Sequence, residues 1–235
     1  MRLDETFLPV GFVPDPQPAA DTVRLGGIQP RSMVAGPGVR SVVWVAGCHR
    51  RCPGCIKPEW FDFASGRPMA TETLVAILLG MAGTDGVTFS GGEPFEQAAA
   101  LAVLAQRLRA AGRTILVYTG YRHEVLRDGG VPAHRDLLAA TDILIDGEYR
   151  AEVGGAGAWR GSANQRVLPL SPEGRRALAS DTATGVARSD VQVEVKDGAL
   201  RVTGCPDPGF MRRLERELAS RGVIVSTGDG GGHGE

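Results

Sequence analysis

The chain has 235 residues, 43% of them hydrophobic and 23% charged, with a formal net charge of -1. This profile fits an ordinary globular protein with length for one full domain plus a small addition, and the near-neutral charge offers no general attraction to nucleic acid or an anionic membrane. No apolar run reaches the length of a membrane span and no basic-then-apolar leader opens the chain, so a protein with clustered cysteines is expected in a reducing, cytoplasmic setting.

Residues 1–22, carrying Pro9, Pro14, Pro16 and Pro18, read as an extended N-terminal segment. The β-branched and aromatic run at 41–46 predicts a strand ending at Gly47 and leading into a cysteine-rich loop. Residues 71–81 have helical periodicity, with Thr71 as expected cap and Gly83 as closing residue. A short apolar strand at 86–90 ends in Gly91-Gly92-Glu93-Pro94, and Pro94 suits the first turn of a helix running to about residue 111. Then come a strand at 114–118, helical patterns at 122–127 and 134–140, a strand at 142–146 and a weaker strand at 164–170.

Strands alternating with helices imply right-handed βαβ crossovers, a parallel sheet and an α/β fold, with ligands at the C-terminal ends of the strands. Five or six such units are too few for a closed eight-stranded barrel, so a partial, crescent-shaped barrel is expected over residues 23–170. Residues 171–190 read as a polar linker, and 191–226 as a small C-terminal α/β unit. That unit has strands at 191–195 and 200–203 joined by an Asp197-Gly198 turn, a helix at 211–220 and a strand at 223–225. The Gly-rich stretch 227–235 is expected to be a disordered tail.

The chemistry concentrates in Cys48-His-Arg-Arg-Cys52-Pro-Gly-Cys55. Three thiolates on one loop are soft ligands for zinc, copper(I) or an iron–sulfur cluster. A set of three leaves one iron of a [4Fe–4S] cube without a protein ligand, open to a small molecule. The other reading is a zinc site completed by His49 or Cys205, although His49 is poorly placed to join Cys48 in one tetrahedron. Arg50, Arg51 and Lys57 surround the thiols and are expected to lower their pKa. The two glycines of Gly91-Gly92-Glu93 let a ligand approach the backbone, and the carboxylate suits an ammonium group. Read alone, the same segment is a strand-to-helix turn with an acid at a helix start.

Together these segments resemble the radical S-adenosylmethionine (SAM) superfamily, and within it the activating proteins of glycyl radical enzymes, those of anaerobic ribonucleotide reductase above all. The resemblance is carried in order by Gly36-Pro-Gly-Val-Arg40, Ala46-Gly-Cys-His-Arg-Arg-Cys-Pro-Gly-Cys55, Lys57-Pro-Glu-Trp60 and Thr88-Phe-Ser-Gly-Gly-Glu-Pro-Phe95. It continues through Val117-Tyr-Thr-Gly-Tyr121, Asp142-Ile-Leu-Ile-Asp-Gly-Glu-Tyr149 and Arg160-Gly-Ser-Ala-Asn-Gln-Arg-Val167. It implies a partial radical SAM barrel of (β/α)6 type, with Cys48, Cys52 and Cys55 holding a [4Fe–4S] cluster and SAM as second cofactor. It implies that Gly91, Gly92 and Glu93 hold the methionine moiety, and that Thr119, Gly120, Asp146, Ser162 and Asn164 line the SAM site. The implied activity is reductive cleavage of SAM to a 5′-deoxyadenosyl radical that abstracts hydrogen from a glycine of a partner enzyme. A flavodoxin or ferredoxin would be the electron donor.

Asp146 also reads as an ordinary cap, Asn164 as a turn former, and Trp60 and Trp159 as packing residues. The activating proteins end soon after the segment matched by residues 160–167, so the C-terminal unit is a departure that suggests a different partner or a lid. Cys205 within it reads as structural. Two other functions remain: radical SAM chemistry on another protein, peptide or small molecule, and a non-catalytic iron–sulfur or zinc module.

Overall fold

The computed structural model describes residues 20–154, 157–183, 191–196, 199–206 and 209–223. The chain runs β1 (Thr22–Ser32), β2 (Arg40–Val45), β3 (Arg67–Ala70), α1 (Thr71–Leu79), β4 (Gly86–Gly91), α2 (Ala98–Ala110) and β5 (Thr114–Thr119). It continues with α3 (His123–Asp128), α4 (Pro132–Ala139), β6 (Ile143–Asp146), β7 (Arg166–Pro169), α5 (Pro172–Ala183), β8 (Val191–Lys196), β9 (Ala199–Gly204) and α6 (Phe210–Ser220). The first seven strands form one mixed sheet in the order β3-β1-β2-β4-β5-β6-β7, and β8 and β9 form a separate two-stranded sheet among the described residues. The fold is α/β, but the parallel part is limited to β2, β4, β5 and β6; β1, β3 and β7 pair antiparallel.

Register fixes which side chains share a face. Val43, Phe89, Val117 and Leu144 stand opposite one another across four strands and are fully buried. They pack beneath α1, α2 and α4, whose Leu74, Leu78, Leu101, Leu104, Leu108 and Leu137 recur at helical spacing. Each buried leucine contributes about 1.5–3 kcal/mol over an exposed one. The next row, Val42, Thr88, Leu116 and Ile143, faces the other way. There Leu116, Ile143 and Ile145 pack with Trp159 and with Ala177 and Leu178 of α5.

On the face of this second row, at the start of β2, lies the fully buried Arg40. Its guanidinium donates to Thr88 Oγ1 (2.8 Å), Val87 O (2.8 Å), Thr114 O (2.8 Å), Thr114 Oγ1 (3.0 Å) and Pro37 O (3.3 Å), so one side chain ties together β2, β4 and β5. Burial lowers its pKa to about 10, against the pull of Asp142, Tyr118 and Asp85, and it stays charged at neutral pH.

Several expectations need correction. β1 (Thr22–Ser32) is a strand where none was expected before residue 41. Its register breaks between Leu25 and Gly27 and between Gln29 and Ser32, which destroys the alternation that reveals a strand. Thr71 lies inside α1 and donates to Ala20 O, with Ala70 in the cap position, and the helix closes at Gly80, before Gly83. Pro94 opens a 3-10 turn, Pro94–Gln97, so α2 begins only at Ala98. The front of the supposed linker 171–190 is helix α5, started by Ser171, whose Oγ accepts from Gly174 N (3.0 Å) and donates to buried Asp142 (2.6 Å). The rest of that linker, the Asp197-Gly198 turn, residues 1–19 and the tail 227–235 lie outside the described residues, as does nearly all of the strand expected at 223–225.

The β8–β9 hairpin meets the body through its polar face. Gln192 accepts from Met33 N (3.1 Å) and donates to Arg31 O (3.2 Å), Thr203 donates to buried Gln29, and Arg201 lies 5.9 Å from the Trp44 ring. Val193 and Val195 point outward and are exposed. No helix among the described residues is long and apolar enough to cross a membrane.

Candidate active site at the cysteine loop

The cysteine loop leaves the C-terminal end of β2 and is bonded to the loop after β4. Gly92 N donates to Val45 O (2.7 Å) and Glu93 N to Gly47 O (2.8 Å). Gly91 and Gly92 make this contact possible. A methyl group at Gly91, where φ is +104°, would meet Val45 O at 2.5 Å, and one at Gly92 would meet Gly47 O at 2.2 Å. The close approach they allow is chain on chain, a use the sequence reading did not assign them.

All three loop cysteines are free thiols: Cys48 is buried, Cys52 and Cys55 half-buried. Each sulfur faces backbone amides: Cys48 those of Arg51 and Arg50, Cys52 that of Tyr149, and Cys55 that of Lys57 at 3.5 Å. Positively charged neighbours were expected to lower the thiol pKa, but burial outweighs them. Cys48 is pushed up to about 12, first by burial and then by Glu93, and Cys52 and Cys55 are also raised, by burial first. The metal-free thiols are therefore protonated at neutral pH, and ligation releases their protons. Among the described residues no three His, Cys, Asp or Glu side chains are gathered as ligands of a single ion; a cubane asks for another arrangement, one thiolate per iron.

Glu93 is buried and accepts from Phe95 N (3.0 Å) and Thr119 Oγ1 (2.9 Å) at one oxygen and from Gly120 N (2.8 Å) at the other. It thereby clamps the β4 loop to the end of β5. Burial raises its pKa to about 7, while its three donors and Arg50 pull downward. The folded chain thus holds this proton more tightly than the unfolded chain, whose carboxyl titrates near 4.5. Its contribution to stability is full below that value and is lost as pH rises through about 7. In urea melts of the metal-free protein, Glu93→Gln should remove a fall in stability across this window. An unchanged slope would assign the fall to other groups.

The remaining candidates divide. Asn164 donates to Glu148 O (2.7 Å), and Glu148 stands 3.6 Å from Arg50 and 3.8 Å from the Cys52 sulfur. Asn164 therefore adjoins the cysteine loop through Glu148. Asp146 instead accepts from His123 N (2.8 Å) and Arg166 Nε (2.8 Å), joining β6 to β7 and α3. Ser162 accepts from Arg150 N (3.1 Å). Trp60 stacks on Trp44 at 5.4 Å, and Trp159 is buried, both as packing residues.

The sequence reading missed Glu148 and the chain His49–Glu96–Tyr121. In that chain His49 Nδ1 lies 2.7 Å from Glu96, which also accepts from Tyr121 Oη (3.0 Å). A Glu within the matched segment 142–149 was the available signal for the first. Two buried polar atoms here, Arg50 Nε and Asn164 Oδ1, meet no hydrogen-bond partner among the described residues. Three amide-faced thiols beside an unsatisfied donor and acceptor fit a thiolate-held cluster together with a polar organic ligand.

A family model described as a 4Fe-4S single cluster domain matches residues 34–168. The anaerobic ribonucleoside-triphosphate reductase-activating protein of Salmonella typhi is 33% identical over 150 residues, 60% of this chain and 95% of the relative. The protein of that name in Vibrio cholerae is 34% identical over 147 residues, 59% of this chain and 92% of the relative. The one in Enterobacteria phage T4 is 31% identical over 147 residues, 60% of this chain and 90% of the relative. Helices α5 and α6 and the β8–β9 hairpin lie beyond the matched family region.

Proposed function

Because this chain belongs to the family of anaerobic ribonucleoside-triphosphate reductase-activating proteins, radical SAM proteins with an iron–sulfur cluster, we propose that it activates a glycyl radical partner enzyme. In this reading Cys48, Cys52 and Cys55 hold a [4Fe–4S] cluster. When bound, that cluster would supply the electron and the open iron for reductive cleavage of SAM, the chemistry by which a hydrogen atom would be taken from a glycine of the partner. A flavodoxin or ferredoxin supplies the electron.

The chain's own residues bind and orient. Backbone amides of Arg50, Arg51, Lys57 and Tyr149 stabilise the thiolates. Glu93 fixes the β4 loop against Thr119 and Gly120, so that the backbone of Gly91–Glu93 is presented to the methionine moiety. Asn164 offers its unsatisfied Oδ1 to a ligand hydroxyl. Asp146 and Ser162 hold the surrounding loops in place. The sheet β1-β2-β4-β5-β6 is read as a shortened radical SAM barrel, with every site loop at a C-terminal end of a parallel strand.

The observation that carries this reading is the backbone bonding of the cysteine loop to Gly92 and Glu93. The test is anaerobic reconstitution with iron and sulfide, reduction, and product analysis with SAM, with and without a glycyl radical enzyme. Methionine and 5′-deoxyadenosine, together with a glycyl radical signal on the partner, are expected. A stable cluster that cleaves no SAM under either condition overturns the proposal. The β8–β9 hairpin, outside the matched region, favours a second reading: the same chemistry on another protein, peptide or small molecule. SAM cleavage without any glycyl signal would select it.

A further inference from the structure

The β8–β9 hairpin lies across the second face of the sheet. Gln29 of β1 and Val42 of β2 stand opposite each other, so the bond from Thr203 to Gln29 puts β9 over that row. Nearer the hairpin turn, Arg201 reaches Trp44, which stacks on Trp60 beside Gly47 at the start of the cysteine loop. Past β9, Cys205 comes within electrostatic range of Tyr118 on β5 and of Tyr149, whose amide faces Cys52. Helices α1, α2 and α4 close the first face. The second is the side from which a bulky substrate can approach the site loops, and the hairpin stands on it.

The hold of the hairpin is polar and mismatched. None of its apolar side chains joins a core cluster among the described residues. The Thr203 hydroxyl donates to Gln29 Oε1, but Gln29 Nε2, on a fully buried side chain, meets no partner among the described residues. A buried donor without an acceptor opposes the closed arrangement. A side-chain amide is the complement of a peptide group, accepting from its N–H and donating to its C=O, and a hydroxyl answers only half of it. Gln192 shows the full match: it accepts from Met33 N (3.1 Å) and donates to Arg31 O (3.2 Å), two groups that the backbone of an added extended chain would take up.

We propose that the β8–β9 hairpin is a displaceable strap standing in the place of the protein substrate, and that an extended segment of that substrate enters by taking over the Gln29 amide, Arg31 O and Met33 N. The inference rests on the reading of the substrate as a protein. The strap tunes affinity, because the substrate binds only the fraction of chains in which the strap is open.

The test uses two variants of opposite sign at Thr203. Thr203→Val removes the bond to Gln29, whereas Thr203→Asn offers its amide both a donor and an acceptor. Gln192→Leu is a second loosening variant. In hydrogen exchange of the metal-free proteins, the β8 and β9 amides should exchange about 10-fold faster in Thr203→Val and about 10-fold slower in Thr203→Asn, with β2 and β4 unchanged. The binding probe is a labelled synthetic peptide copying the radical-glycine segment of an anaerobic ribonucleotide reductase, followed by anisotropy under anaerobic conditions. It should bind Thr203→Val about 10-fold more tightly than the parent, and Thr203→Asn about 10-fold more weakly. Gln192→Leu should follow Thr203→Val in both measurements. Hairpin exchange that ignores the variants, or peptide affinity that does, overturns the strap. A peptide that binds none of the proteins also overturns it, and the glycyl radical signal with the intact reductase then separates the two readings. With that signal the proposed function stands; without it both fall.

Discussion

Cys52→Ala should hold no stable cluster: iron and sulfide per chain and the visible charge-transfer absorption should fall to background after anaerobic loading. Two thiolates, Cys48 and Cys55, can serve two irons of a cube and leave two without a protein ligand. No fourth thiol on the loop can substitute, because Cys205 belongs to the segment after β9. The loss should be one of ligation and not of folding. Cys52 is half-buried on a surface loop, so the metal-free variant should stay within about 1 kcal/mol of the parent in urea. Full iron content in Cys52→Ala would sink the ligand assignment. A collapse in stability would show that the loop has a structural role beyond the cluster.

The second large effect is on stability. Arg40→Met should destabilise the metal-free protein by about 4 kcal/mol, a large part of the roughly 5–15 kcal/mol available to a domain. Methionine fills the space but leaves Val87 O, Thr114 O and two threonine hydroxyls facing an apolar group in the sheet interior. Removing the charge relieves a desolvation cost, which the depressed pKa of about 10 records. That relief is smaller than the penalty of several unsatisfied acceptors. A urea midpoint shifted by less than the equivalent of about 1 kcal/mol would mean that water reaches these groups instead.

The cysteine loop and the Gly91–Glu93 turn were legible because their spacing is local and their residue types are rare. Their immediate contact was not, since it depends on the parallel register of β2 with β4, which pairs Val45 with Gly91. The strands of the parallel core were readable from their apolar runs. β1 was hidden by two glycines, a proline and two irregularities of register, and α5 by a polar surface that reads as linker. The thiol pKa was misjudged because a sequence shows the charges beside a cysteine but not its burial. The junction of Arg50, Glu148 and Asn164 joins the cysteine loop to both ends of the β6–β7 connection, about a hundred residues away, and no period or spacing announces it.

Both ends of the large sheet share one design. The outermost strands, β3 and β7, have four residues each, reading Arg-Pro-Met-Ala and Arg-Val-Leu-Pro. An unpaired strand edge is a template for adding strands from other molecules, and short length, a charge and a proline each weaken that template. The long apolar strands prone to self-association are confined to the interior of the sheet. A chain that has lost its metal should therefore not be drawn into intermolecular β-aggregates through the edges of this sheet.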